Sequence, residues 1–367
     1  MKIVITGGHH TAALILAKEL IKRGHQVFWF GHKYSMWGDK KPCAEYLEVR
    51  KAKIPFFELK AGKYWKTLNP QKLIHLPLGF LQTFYLLKKI KPDLIFSFGG
   101  YLAVPTVIVG FFLKIPSVTH EQTTVAGFAN KIIAPFVKKI FISWKESKKY
   151  FPSQKTILTG LPLRKEIFEE KTKKYRFKED LPTILIIGGK QGSHIINQAV
   201  FAILDKLLEK YNIIHQCGFS SLYNDFQKAK EKRKKMKKQK RERYKPEDYI
   251  FPKDIGSAFA QADLVVSRAG AHTIYELLAL KKPCLLIPYP FLYKDEQTQN
   301  ARILKKIGLG EILPQKDLTP TLLYQSINSL ISNLQKYKEA GKKAEKLVIF
   351  NAERKIIEEI EKIIKVC

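Results

Sequence analysis

TILIIGGKQGSHIINQAV, residues 183–200, passes from uncharged β-branched residues into two glycines and then into an amphipathic segment. A strand that turns through glycines into a helix leaves the first backbone N–H groups of that helix without intrahelical partners. The aligned peptide dipoles then make the place favourable to negative charge. The turn Gly188-Gly189-Lys190-Gln191-Gly192-Ser193 therefore has the chemistry to hold a diphosphate. It follows neither the Walker spacing nor GxGxxG, so the residues alone leave a purely structural tight turn open.

The same grammar extends in both directions. Upstream, IVIT (3–6) reads as a strand, and 11–23 as a helix with Ala13, Leu16, Ala17 and Leu20 on one face, closed by Gly24. QVFWFG (26–31), DLIFSF (93–98), PSVTH (116–120), KIFIS (139–143) and TILTG (156–160) follow as short apolar runs. Residues 165–180 turn polar and charged, as a linker does. Downstream come IIHQCG (213–218), YIF (249–251), LVVS (264–267) and PCLLIP (283–288), with helical stretches between them. Strands separated by helices imply parallel sheets covered on both faces. We expect two doubly wound α/β domains, 1–162 and 163–345, and a C-terminal helix, 346–367, that can pack back on the first.

Composition bounds the rest. Four cysteines (Cys43, Cys217, Cys284, Cys367) lack CxxC spacing, which points to a reducing compartment without zinc or disulfides. The start MKIVITGG is too short in apolar residues for a signal peptide, so a cytoplasmic chain is expected. Residues 94–113 carry no charge over 20 positions, the length of a membrane span. Gly99, Gly100 and Pro105 instead divide them into strand, turn and buried helix. The net charge of +32 attracts polyanions, and residues 228–245, with 12 basic and 2 acidic side chains, supply +10 of it. That run is read either as a solvated arm or as an anion-binding segment. It has no aromatic residue before Tyr244 for stacking on bases, so no specific nucleic-acid partner is expected.

Ligands of open parallel sheets sit beyond the carboxyl ends of the strands. Besides 188–193, three further loops there carry chemistry. Thr6-Gly7-Gly8-His9 places a near-neutral base at a helix start, where it can deprotonate a hydroxyl or simply face water. In Arg268-Ala269-Gly270-Ala271-His272-Thr273 with Glu276, the carboxylate can accept from both hydroxyls of a ribose or complement a helix dipole. Residues 294–301 (KDEQTQNA) bunch amides and carboxylates suited to a sugar. The chain contains no Asp-x-Asp pair, so the charge of a leaving diphosphate falls to N–H groups and cations, and no protein-bound metal is expected.

Taken together and in this order, these segments resemble the MurG family of bacterial GT-B glycosyltransferases, which add N-acetylglucosamine from UDP-GlcNAc to lipid I. TGGH, FGGYLAVP (98–105), HEQTTVAGFANK (120–131), GLPLR (160–164), GGKQGS, HQCG, ADLVVSRAGAHTIYE (262–276) and DEQTQNA (295–301) carry the likeness over nearly the whole chain. The resemblance implies a GT-B fold, two Rossmann-like domains facing a cleft. It implies UDP-GlcNAc as donor, undecaprenyl-diphospho-MurNAc-pentapeptide as acceptor, inversion at the anomeric carbon, and a peripheral place on the cytoplasmic face of the membrane. On the donor side it points to Gly189, Lys190, Gln191, Gly192 and Ser193 at the diphosphate, with Arg164 reaching toward it. Ala271 and Glu276 fall at the nucleoside, and Glu296 and Gln297 at the GlcNAc hydroxyls. On the acceptor side it points to His9 as catalytic base, with Thr6, Gly7, Gly8, Gly99, Gly100, Tyr101, His120, Glu121, Gln122 and Thr123 lining the pocket.

The chain departs from the family pattern in four places. It has ITGGH where the family has GGTGGH, Thr123 where HEQN has asparagine, Lys190 where serine is usual, and Gly160-Leu161-Pro162 where the hinge reads GNP. Between Tyr64 and Lys89, apolar residues including Trp65, Leu78, Leu81 and Phe84 are bracketed by lysines, as suits an anionic leaflet or, for some of them, a core. The readings that compete are a related UDP-sugar transferase with a different lipid acceptor, a UDP-GlcNAc 2-epimerase, and a non-enzymatic binding protein built around 228–245.

Overall fold

The computed structural model describes residues 1–8, 10–34, 42–61, 70–189, 191–220 and 222–366. The chain divides into two compact units, Met1–Leu163 with Ile349–Cys367, and Arg164–Val348. In the first, the strands are β1 (Lys2–Thr6), β2 (Gln26–Gly31), β3 (Phe56–Glu58), β4 (Leu94–Ser97), β5 (Ser117–Glu121), β6 (Lys139–Ile142) and β7 (Thr156–Leu158). All pair in parallel, in the order β3-β2-β1-β4-β5-β6-β7. Helices α1 (His10–Lys22), α2 (Ala44–Lys51), α3 (Pro70–Ile90), α4 (Ala103–Phe112) and α5 (Phe128–Ile133) lie between them in sequence.

The second unit repeats the plan with β8 (Thr183–Ile187), β9 (Asn212–Gln216), β10 (Tyr244–Glu247), β11 (Leu264–Ser267), β12 (Cys284–Leu286) and β13 (Gly310–Ile312). They also pair in parallel, in the order β10-β9-β8-β11-β12-β13. Its helices are α6 (His194–Leu207), α7 (Asp225–Lys235), α8 (Lys238–Arg243), α9 (Pro252–Gln261), α10 (Ala271–Ala279), α11 (Glu296–Ile307), α12 (Pro320–Ser332) and α13 (Leu334–Ala344). These are two Rossmann-like, doubly wound domains. Helix α14 (Ala352–Val366) returns to the first unit, where Ile356, Ile357 and Ile360 are buried and Arg23 Nη1 meets Glu361 Oε1 at 3.2 Å.

The strands read as continuous apolar runs because helices cover both faces, so no residue of β4 or β11 faces water. The uncharged stretch at 94–113 resolves into β4, the turn at 98–100 and α4, and no helix among the described residues is long and apolar enough to cross a membrane. The strand expected at 249–251 lies earlier, at Tyr244–Glu247, inside the end of the basic segment. The fully buried Tyr244 anchors it, and Lys245 Nζ donates to the carbonyls of Lys174 and Arg176, both at 2.6 Å. Pro246 is tolerated because β10 is an edge strand.

Candidate active site

In each sheet the strand order reverses once, between β1 and β4 and between β8 and β11. The loops at those carboxyl ends are where the topology leaves room for a ligand. In the second unit, the loop after β8 is held from behind by the loop after β9. Gly192 N donates to Gly189 O at 3.0 Å, and the pair Gly192 and Gly218 close on one another so tightly that a Cβ at 192 would stand 1.9 Å from Cys217 O. Gly189, with φ +86°, faces the other way, and a Cβ there would meet nothing within 4 Å. Ser193 takes the N-cap place of α6 without capping it, and its buried hydroxyl has no hydrogen-bond partner among the described residues. Gln191 lies in the same turn, and Lys190 lies outside the described residues.

Gln216, at the end of β9, was not among the expected site residues. Its Nε2 donates to Gly189 O at 2.9 Å while its Oε1 accepts from Ile250 N at 2.9 Å, so one amide fixes two ligand-side loops. Gln216→Ala leaves the Ile250 N–H without this acceptor and Gly189 O with Gly192 N as its remaining donor. It is expected to weaken UDP binding by about tenfold while Tm falls by only a few degrees; calorimetric titration with UDP and thermal melting check this. Gln216→Glu keeps the acceptor for Ile250 and is expected to fall between the two. Beside it, Phe219 and Tyr249 stack at 5.3 Å and Phe251 meets Tyr249 edge-on, an exposed aromatic group able to face a planar base.

On the β11 side, Ala271 opens α10 and Glu276 lies one turn on, buried. Arg164 reaches it with Nε at 2.8 Å and Nη2 at 2.7 Å, and His272 Nε2 stands 3.4 Å away; all three contacts fall on Oε1. Burial pushes the Glu276 carboxyl above its ordinary range, with Arg164 opposing. Burial works against the Arg164 guanidinium too, but the carboxylate outweighs it and holds the pKa above the usual value. Gln297 Oε1 accepts from Ala269 N (3.2 Å) and Tyr289 N (2.9 Å), tying the β11 loop to the β12 loop. Arg268 ties the same loop to Ile287 O after β12 at 3.0 Å and to Gln315 Oε1 after β13 at 2.7 Å. Glu296 is the first residue of α11, entered through Lys294 and Asp295, both at positive φ (51° and 53°). Two successive side-chain-bearing residues in that region are strained backbone, of the kind that gathers at ligand sites.

Behind the glycine turn is a buried polar network that sequence reading did not assemble. Asn197 Nδ2 donates to Cys217 O (2.9 Å) and Asp225 Oδ2 (2.8 Å), so its Oδ1 must accept, and His215 Nε2 at 3.0 Å is the donor. His215 Nδ1 then accepts from Tyr244 O–H at 3.0 Å. The neutral ring fits all partners, and burial lowers the His215 pKa to about 4. The unfolded chain takes up this proton near pH 6.5 and the folded chain only near 4, so the stability is complete above 6.5 and is lost as the pH falls toward 4. The loss amounts to about 3 kcal/mol. Urea unfolding between pH 7 and 4 is expected to show this slope in the native chain, and a flatter one in His215→Gln.

In the first unit the β1 and β4 loops meet. Gly8 N donates to Gly99 O at 3.2 Å, and a Cβ on Gly7 would stand 2.6 Å from the same oxygen. Gly100, at φ +76°, packs on Gly8. Thr6 is buried beneath. The Tyr101 phenol is pushed up to about 12, chiefly by burial and then by Glu45, so it stays a hydrogen-bond donor at neutral pH. His9 lies outside the described residues.

His120, Glu121, Gln122 and Thr123 are all buried. His120 Nε2 bonds Gly160 O at 3.0 Å. Glu121 spends both oxygens inside the fold, Oε1 on Thr123 and Oε2 on Gly127 N (2.8 Å) and Asn130 Nδ2 (2.9 Å). Asn130 in turn lies under Gly99. Glu121 thus supports the glycine turn from below. Gln122 accepts from Trp144 through its carbonyl and keeps a buried Nε2 without a hydrogen-bond partner among the described residues. No group of three or more His, Cys, Asp or Glu among the described residues is arranged to hold a metal ion.

Known proteins align with both units. Residues 4–142 match the glycosyltransferase family 28 N-terminal domain, and residues 183–360 its C-terminal domain. A Clostridium perfringens protein named UDP-N-acetylglucosamine--N-acetylmuramyl-(pentapeptide) pyrophosphoryl-undecaprenol N-acetylglucosamine transferase is 35% identical over 98% of both chains. A Clostridium botulinum protein of the same name is 36% identical over 92% of both. Among solved structures, Acinetobacter baumannii MurG superposes with a TM-score of 0.71 at 26% identity, covering 98% of this chain and 99% of its own. With both domain models matched and relatives aligned along almost its full length, the chain belongs to glycosyltransferase family 28.

Proposed function

We propose that the chain transfers N-acetylglucosamine from UDP-GlcNAc to the muramyl 4-hydroxyl of an undecaprenyl-diphospho-MurNAc-pentapeptide. The observation that carries the reading is the near full-length likeness to the two clostridial transferases of that printed name. The glycine turn at the β8/β11 reversal supports it from the physical side, as an anion cradle with an outward-facing Gly189.

In this reading Gly189, Lys190, Gln191, Gly192 and Ser193 receive the diphosphate, and Arg164 lends it positive charge. Ala271 and Glu276 take the nucleoside, and Glu296 and Gln297 the sugar. The acceptor is assigned to the first unit, around Thr6, Gly7, Gly8, Gly99, Gly100 and Tyr101, with His120, Glu121, Gln122 and Thr123 shaping that turn from inside. The acceptor oxygen attacks the anomeric carbon as the bond to the diphosphate breaks. The hydroxyl proton passes to His9, UDP departs, and the configuration inverts. The amide-rich start of α6 meets the growing negative charge.

The site of action we assign is the membrane surface on the cytoplasmic side. On α3, Leu78, Leu81 and Tyr85 share one face and are 47–66% exposed, with Lys88 over the exposed Phe84 ring at 4.9 Å; Phe111 and Phe112 of α4 are exposed as well. Apolar side chains edged by lysine suit shallow insertion.

The test is incubation with UDP-[14C]GlcNAc and the lipid acceptor in detergent containing EDTA. Label moving into the lipid, with UDP released in equal amount, is expected. Label that stays water-soluble, as an epimer or free sugar, overturns the reading, and inhibition by EDTA removes its metal-free form.

A further inference from the structure

The basic segment is ordered, and its cations sort into two classes. Of the twelve in residues 228–245, four are at least half-buried and committed. Arg233 Nε donates to Tyr244 O at 2.8 Å, Lys240 Nζ to Asp205 O at 2.9 Å, Arg243 Nη1 to Leu208 O at 2.9 Å, and Lys245 to the two carbonyls named above. Arg233 thus ties α7 to β10, Lys240 and Arg243 tie α8 to the end of α6, and Lys245 ties β10 to residues 174 and 176. The remaining eight, seven lysines and Arg241, are all exposed, and no carboxylate among the described residues stands within 4 Å of any of them. The two acids of the segment do not neutralise them: Glu231 receives Gln227 Nε2 at 3.1 Å, and Glu242 faces Lys178.

Lys228, Lys232 and Lys235 follow one another at helical i, i+4, i+7 spacing. With Gln198, Phe201 and Ala202 of α6, and with Glu231, they line an open groove of about 480 Å³. Cations late in α7 and α8 favour those dipoles, but that accounts for the last turns alone and not for Lys228, Lys230, Lys237 or Lys238. Eight like charges on two short helices and the residue between them repel one another, and no carboxylate among the described residues pairs with them.

We propose that this face of the second unit docks on the anionic headgroups of a bilayer, with the groove seating a headgroup phosphate. Charge complementarity commits the occupant. Lysine outnumbers arginine seven to one, which gives diffuse point charges in place of the planar fork that grips a phosphate bidentately. No aromatic residue stands between 228 and 243 to stack on a base. Clusters of four to eight basic residues are the usual size of an electrostatic lipid contact. The choice of a membrane over another polyanion rests on the lipid-linked acceptor proposed above. The face is electrostatic where the α3 face is apolar, so salt should act on it selectively.

The test uses the full chain and sedimentation with vesicles of phosphatidylcholine holding either no phosphatidylglycerol or about one third. The triple variant Lys228→Gln, Lys232→Gln, Lys235→Gln is compared with a control of equal charge change, Lys316→Gln, Lys336→Gln, Lys343→Gln, at three exposed lysines elsewhere in the unit. The expected result is binding to the anionic vesicles at least about tenfold weaker for the first variant only. Tm and turnover on a short-chain, detergent-dispersed acceptor should be unchanged, and the difference should vanish at high salt. Equal vesicle binding by both variants overturns the proposal. So does a preference of the native chain for double-stranded RNA over vesicles at the same salt. Absence of transfer by the native chain, with the vesicle difference intact, would instead reject the transferase reading and leave the docking face standing.

Discussion

Gly192→Ala is expected to abolish measurable UDP binding, by about 100-fold or more, and to cost about 3 kcal/mol of stability. The new Cβ would stand 1.9 Å from Cys217 O and 2.7 Å from its carbonyl carbon, at φ +78°. Both obstacles are backbone, so no side chain can swing aside. The loop after β8 and the loop after β9 would have to separate, and the Gly192 N to Gly189 O bond and the Gln216 tie to Gly189 O depend on their staying together. Gly189→Ala is the informative partner. Its φ is also positive, +86°, but its Cβ would meet nothing within 4 Å, so the backbone penalty is only about 1 kcal/mol. If the open side of Gly189 is where the diphosphate lies, this variant should lose UDP affinity about tenfold with little change in Tm. Calorimetric titration and thermal melting of the two variants separate collapse of the turn from obstruction of the ligand. Full UDP affinity in Gly192→Ala would remove the diphosphate from this loop.

The two sheets were legible because a parallel strand buried on both faces is apolar at every position, as β4 and β11 are, and because glycines mark where such strands turn into helices. Less was legible where the deciding contacts are distant in sequence. Arg164 and Glu276 are 112 residues apart, and His215 lies 18 residues from Asn197, which in turn lies 28 from Asp225. No spacing rule reaches across such gaps. Composition also misdirected. YIF at 249–251 looks like the strand and KPE does not, yet the buried Tyr244 and the carbonyls offered to Lys245 place β10 earlier and free the aromatic residues for the loop. Glu121 shows the same limit at a single residue. Its type and place fit an acceptor contact, whereas its oxygens are engaged by Thr123, Gly127 and Asn130, an arrangement only tertiary structure can disclose.

A donor analogue lacking the ribose 2′-hydroxyl should bind the native chain about 10- to 100-fold more weakly than UDP-GlcNAc, and Glu276→Ala should bind the two almost equally. The carboxylate is approached on one oxygen: Arg164 Nε and Nη2 and His272 Nε2 all meet Oε1, and in the proposed role Oε2 meets the ribose. A carboxylate that serves only to hold Arg164 predicts a different outcome: Glu276→Ala would weaken both donors by the same factor and keep the discrimination. The cycle of two donors and two proteins distinguishes these cases without assigning an absolute energy to either contact. Removing Arg164 adds a pH signature. Burial already raises the Glu276 pKa and Arg164 is what opposes it, so Arg164→Ala lifts it further. The charged carboxylate is then present only above that higher pKa. Donor affinity in Arg164→Ala should accordingly fall at a higher pH than in the native chain as the solution is acidified. Titrations of UDP-GlcNAc binding from pH 8 to 5 that superpose for the two proteins, apart from a constant offset, would deny Glu276 any part in holding the nucleoside.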